Sequence, residues 1–242
     1  MSDVTPTSSE IALEPYVPAS VVGDGSLRQA DRSGYLSRDS AVFSDRVREL
    51  IASRQTVSPK RLEAPAPSAT QIGDILSGAA AAPDHGLLMP WRIICIGDNQ
   101  RPSLAGAFVT ALLERDPGAT GEQLEAAHEK AFRAPFLALV VSRLGPEFTG
   151  IRAMEQIISM GCAIQNILLS AHAMGFGSGL SSGRAMTSKP IRSLFDLAPN
   201  EEAACFIAIG TVSRPKAVRQ RPDLERFVSH LKATALTSTS LS

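Results

Sequence analysis

RAMEQIISMGCAIQNILLSAHAMGFGSG, residues 152–179, is the stretch on which the fold turns. Met154, Ile157, Ile158, Gly161, Ile164, Leu168 and Ala171 recur at spacings of three and four, which predicts a helix from about Arg152 to Met174. Other apolar residues fill its remaining sides. A helix that is apolar nearly all round belongs either at the centre of a large core or across a subunit interface, and Gly161 and Ala163 allow close backbone approach along it. Gly175 is expected to end the helix, and Gly177, Gly179 and Gly183 to shape a turn after it. A dinucleotide-binding loop would need a strand ahead of the glycines within a βαβ unit, and here a long helix precedes them. The remaining reading is that this bare backbone lies against a flat ligand.

On the N-terminal side of this helix, FLALVVS (136–142) is a continuous apolar run bounded by Pro135 and Gly145, which reads as a strand buried on both faces. On its other side come a short helix at 190–197 and a second apolar strand, ACFIAIG (204–210). Earlier, AAPDHGLLMPWRIICIG (81–97) is a turn-forming loop that runs into a strand at 92–97, so His85 and Trp91 sit on a loop anchored to a rigid sheet. His85 reads as a ligand contact or as a turn residue, and Trp91 as core. Helices are predicted at 44–54, where Val47, Leu50 and Ile51 share a face, and after Ser68, whose Gln71 completes a capping box. Leu104, Phe108 and Leu112 mark another helix, and Thr120 with Gln123 caps a further one. Residues 1–40 and 232–242 lack hydrophobic periodicity and are expected as disordered tails around one folded domain at 41–231.

Among the 242 residues, 24 Lys and Arg balance 24 Asp and Glu, so no global field draws the chain to nucleic acid or an anionic membrane. The N-terminus has no basic start or apolar core, and no run approaches ~20 apolar residues, so a soluble cytoplasmic protein is expected. Cys95, Cys162 and Cys205 sit among apolar neighbours without a CxxC pair; they are expected as buried thiols, and no metal site is expected.

HExxH and P-loop motifs are missing from the chain. An enzyme so poor in acid–base groups leaves its difficult chemistry to a bound cofactor. Arg54, Gln55 and Thr56 bring a permanent cation, an amide and a hydroxyl together, suited to a phosphate or a polar ring edge. Arg214, Lys216, Arg219 and Arg221 form the one basic cluster.

Taken in order, RQTV (54–57), the capped helix after Ser68, APDHGLLMPW (82–91), the strand 136–142, Met154-Glu155 with GCAIQNILLSAHAMGFGSG (161–179), and IGTVSRPK (209–216) resemble the nitroreductase-like flavoproteins, in particular their compact single-domain subgroup. The likeness spans about 44–230. It implies an α+β fold, an α/β/α sandwich around a central, mainly antiparallel sheet, in an obligate homodimer with two shared FMN sites. It also implies an FMN-dependent NAD(P)H oxidoreductase that reduces a small electron-poor acceptor (a nitroarene, quinone or activated alkene) in ping-pong fashion through flavin N5, with no catalytic side chain. Arg54, Gln55 and Thr56 match the run at the FMN phosphate and ribityl chain, His85 a contact made across the dimer, and Leu180, Ser181 and Ser182 the segment near the isoalloxazine. Arg219 or Lys216 would meet the phosphate, and Ser170, Ala171, His172, Ala173, Met174 and Gly175 match the nicotinamide region. The chain departs from the subgroup at Ala81 and Ser181, where cations can stand. That loss motivates the alternative of a flavin-binding or regulatory protein with little turnover, beside a cofactor-free interaction protein.

Overall fold

The computed structural model describes residues 41–144, 150–215, 217 and 220–231. The expectations for the two tails, and for Lys216 and Arg219, fall outside these residues. Among the described residues six α-helices and five strands follow one another: α1 (Ala41–Ser53), β1 (Leu62–Glu63), α2 (Ala69–Ser77), β2 (Trp91–Cys95), α3 (Arg101–Arg115), α4 (Gly121–His128), β3 (Phe136–Arg143), α5 (Ala153–Ala173), β4 (Gly177–Ser181), α6 (Lys189–Leu194) and β5 (Glu201–Val212). Every pairing between these strands is antiparallel: β2 with β3, β3 with β5, and β4 and β1 with β5. Ile209 of β5 faces both Phe136 of β3 and Ser178 of β4, so β3 and β4 flank β5 on opposite edges.

The side-chain period of two in the strands builds two cores. Leu137, Leu139 and Val141 of β3 join Phe206 and Ala208 of β5 under α3, α4 and α6. Val140 packs with Cys205, Ile207 and Ile209 on the other face, against Ile75 of α2 and Ala163, Ile167 and Ala171 of α5. A bulge between Val140 and Val141, opposite Ala204, resets the phase so that Ala203 and Phe206 share a face. The result is a sheet between two helical layers, as expected.

The local signals reappear as geometry. Ser68 Oγ accepts from Gln71 N at 3.3 Å while Gln71 Oε1 accepts from Ser68 N at 2.9 Å, and Thr120 and Gln123 repeat the box at 3.3 and 2.8 Å. Two expectations are corrected and one is narrowed. Gly177–Ser181 is a strand, not a turn, because β5 supplies hydrogen-bond partners that a local reading does not see. Of the two places expected for the long helix α5, the centre of the core is excluded and the subunit interface is left open: Gln156, Ser159, Ala163, Ile167, Leu168 and Ala171 face inward, but Met154, Ile157 and Ile158 are 60%, 43% and 58% exposed on the single chain. Of the cysteines only Cys205 is buried; Cys95 is exposed and Cys162 half-buried. Among the described residues no helix is long and apolar enough to cross a membrane, and no group of His, Cys, Asp and Glu suits a metal ion.

Candidate functional site

Where α1 ends, residues 54–57 extend along β4. Val57 N donates to Ser178 O at 2.9 Å, and Thr56 bridges Ser178 in parallel, so the Arg54-Gln55-Thr56 run becomes an added edge of the sheet. This close approach is why glycines recur in β4. A Cβ on Gly179 would run into the Val57 carbonyl, and one on Gly177 would lie 2.5 Å from Val212 Cγ2 and 2.9 Å from Leu62 Cδ2.

The edge carries an unneutralised pair of cations. Arg221 Nη2 donates to the carbonyls of Ala52 at 3.2 Å and Arg54 at 2.7 Å, which holds it beside the first guanidinium. Arg54 Nη1 is buried without a partner, and its pKa is lowered, first by burial and then by the Arg221 charge. Neither arginine forms an ion pair among the described residues. Two adjacent guanidiniums and an orphaned donor are stabilised by an anion; without one they repel. A cleft of about 350 Å³ opens there, lined by Arg54, Gln55, Thr56, Leu180 and Arg221 among others.

A second cleft of about 290 Å³ joins Arg54 to His172, Gly175, Arg61 and Arg214, and Ser53 Oγ lies 2.8 Å from His172 Nε2. Of the expected nicotinamide run, His172 and Gly175 line this cleft. Ala171 is instead fully buried in the core, and Ser170 lies against Gly78. Ser181 and Ser182 line a larger cavity on the α3–α4 side.

His85 stands apart from these clefts. Its Nδ1 lies 3.0 Å from Glu155 Oε2, whose other oxygen accepts from Arg152 Nε at 3.0 Å; these hydrogen bonds, His85 first, hold the Glu155 carboxyl below its ordinary value. The loop around it is strained, with φ of +53° at Leu87 and +44° at Met89, and it holds both side chains out at 84% and 63% exposure.

Arg221, named in the basic cluster but not matched to a role there, is the residue the structure sets beside Arg54. The signal was its place in the basic cluster; what singles it out is its pair of hydrogen bonds to residues some 170 positions earlier.

The sheet order, the cationic edge and the glycine strand define an α/β/α sandwich with an anion-ready edge. A sequence profile of the Nitroreductase family matches residues 51–211, and the chain belongs to that family. It is 34% identical over 176 residues to a Haemophilus influenzae protein named "Putative NAD(P)H nitroreductase", an alignment covering 72% of this chain and 94% of that one. Among solved structures it is similar to a nitroreductase-like family protein from Bacillus cereus, with a TM-score of 0.66 and 19% identity over 82% of this chain and 98% of the other. An FMN and NADPH-dependent nitroreductase derived from a Sphigopyxis strain, in mutant form, superposes with a TM-score of 0.59 and 17% identity over 76% of this chain and 98% of the other.

Proposed function

We propose that this protein is an FMN-dependent NAD(P)H oxidoreductase that reduces a small electron-poor acceptor, a nitroarene, quinone or activated alkene, in alternate half-reactions. The observation that carries the proposal is the Arg54–Arg221 pair with its orphaned buried nitrogen, at the end of the run that pairs with β4. The donor set fits the group: two guanidiniums for a phosphate, the Gln55 amide and Thr56 hydroxyl for a polyol chain, and the Leu180–Ser182 segment for a flat ring system. Bound FMN would supply two-electron chemistry between nicotinamide and acceptor. The chain's own task is to fix the phosphate, orient the ring and shape the clefts beside it, with protons taken from solvent.

Two copies would assemble the site. Val42, Phe43, Val47 and Ile51 of α1, and Met154, Ile157 and Ile158 of α5, leave large apolar side chains exposed on a single chain. Such a surface fits a second copy, toward which the strained 84–89 loop would present His85. Ile158→Asp places a charge in that face and is expected to shift the protein from dimer to monomer in sedimentation velocity, with loss of bound flavin. A dimer that persists with its flavin would contradict this arrangement.

Purified protein is expected to be yellow, and NADPH or NADH added without oxygen to bleach it rapidly. Absence of bleaching over minutes would favour the flavin-binding reading that Ala81 and Ser181 motivate. Arg54→Ala removes a charge-assisted phosphate contact of ~1.5–3 kcal/mol, so FMN retention measured by dialysis is expected to weaken by about 10- to 100-fold.

A further inference from the structure

A cavity of about 890 Å³ lies outside the Arg54–Arg221 cleft, on the α3–α4 side of the sheet. Its floor is apolar, made by Phe108, Leu112, Leu137, Met186 and Phe206, while Lys60, Arg115, Lys130, Arg133 and Arg184 also line it. Among the described residues the one carboxylate in its lining is Asp116, whose Oδ1 accepts from Gly118 N at 3.2 Å. Five cations against one acid is a strong local imbalance in a chain whose overall charge is zero.

Two further observations point to an anion site. Arg133 Nε is buried with no partner, although Arg133 Nη2 donates to Ala126 O at 3.2 Å and lies 4.0 Å from the largely exposed Glu129 carboxylate. Lys130 is exposed as a residue, yet its ammonium is held below the usual lysine value, first by partial burial and then by the charges of Arg133 and Arg115. Like charges gathered over an apolar floor destabilise the empty site, and an anion lying among them would relieve that cost.

The cavity also touches both segments that border the cleft. Ser58 and Pro59 line cavity and cleft alike, and Ser181, Ser182 and Gly183 carry the lining on from Leu180. A free inorganic anion would leave the apolar floor uncovered, and a neutral arene would leave the cations unpaired. We propose that this cavity binds the electron acceptor and selects an organic acid, its flat apolar body on Phe108, Leu112 and Phe206 and its carboxylate among Lys130, Arg133 and Arg115. The assignment of the ligand as acceptor rests on the oxidoreductase reading above. For a nitroarene carboxylate the step is reduction of the nitro group to nitroso, which takes two electrons from NAD(P)H by way of the flavin and two protons from solvent, and releases water.

The test uses the dimeric holoprotein, reduced with light so that no nicotinamide is present, and mixed anaerobically with para-nitrobenzoate or with its neutral isostere para-nitrobenzamide. Half-saturation for the carboxylate is expected at roughly tenfold lower concentration, and Lys130→Gln is expected to bring that ratio close to one. Calorimetric titration with the non-reducible para-chlorobenzoate gives a second readout, in which Lys130→Gln weakens binding by about tenfold. Equal half-saturation for the two acceptors, or a ratio and a chlorobenzoate affinity unchanged in Lys130→Gln, would overturn the assignment. A colourless protein that reduces neither acceptor but binds chlorobenzoate in a Lys130-dependent way would defeat the oxidoreductase reading while leaving the anion site standing. Arg115→Gln, at the end of α3, keeps the conclusion independent of any local effect of the Lys130 substitution.

Discussion

Gly179→Ala is expected to abolish cofactor binding and to lower stability by ~2–4 kcal/mol, a drop of roughly 5–10 °C in Tm for a domain of this size. The added methyl group has only the Val57 carbonyl to meet, and a backbone oxygen in a paired edge strand has no rotamer to escape into. Relief requires residues 56–57 to peel from β4, which breaks the 2.9 Å bond from Val57 N to Ser178 O and displaces Arg54 from Arg221. Thermal unfolding and the flavin absorbance of the purified variant read the two effects. Gly106→Ala is the control: it lies inside α3 with open space around the new carbon, so exchange of glycine for alanine should raise stability by ~0.5–1 kcal/mol. Equal effects of the two substitutions would show that the Gly179 site is not sterically closed.

Glu201→Gln is expected to cost ~2–3 kcal/mol, and to do so in a strongly pH-dependent manner. At the start of β5 this side chain is only 5% exposed and its carboxylate accepts four bonds: Arg92 Nε and Nη2, each at 2.7 Å, Arg143 Nε at 2.8 Å, and Ala198 N at 3.2 Å. The hydrogen bond from Arg92 is the main cause that holds its pKa at about 2, against an ordinary 4.5, and Arg143 and Ala198 N act in the same direction against the cost of burial. Because the folded value is the lower one, the associated stability is complete above pH ~5 and drains away as pH falls through 4.5 toward 2. That interval corresponds to ~3 kcal/mol. The substitution falls at the low end of buried-pair losses because Arg92 and Arg143 are 30% and 44% exposed, and water takes up part of what the carboxylate gave them. Urea unfolding at pH 7 and pH 3 is expected to show a large difference between wild type and Glu201→Gln at the first and one about half as large or less at the second. A constant difference would show that Glu201 is not ionised through its arginines.

Glu201 gave no signal in the sequence, and the reason is physical. Arg92 lies 109 positions away and Arg143 58, so the triad exists only once β2, β3 and β5 are in register. The capping boxes at Ser68–Gln71 and Thr120–Gln123 were legible because both partners lie within one turn. Strand 136–142 was equally plain, since a strand covered on both faces writes its burial directly into composition. Strand β4 was not: four of its five residues are Gly and Ser, which have no hydrophobic pattern, and its pairing comes from Gly210 to Phe206 of β5. In α5 the periodicity announced a helix but not its two environments, because apolar residues facing the sheet and apolar residues facing outward look alike.

The order of six short motifs, each set by local spacing and side-chain chemistry, was enough to specify the family, the α/β/α architecture and the cationic run at Arg54. Tertiary structure alone brought Arg221 beside Arg54, turned the glycines after α5 into an edge-bearing strand, and gathered Lys60, Lys130 and Arg133 around one cavity. Each of these depends on residues tens to nearly two hundred positions apart, and only the closed sheet determines which of them meet.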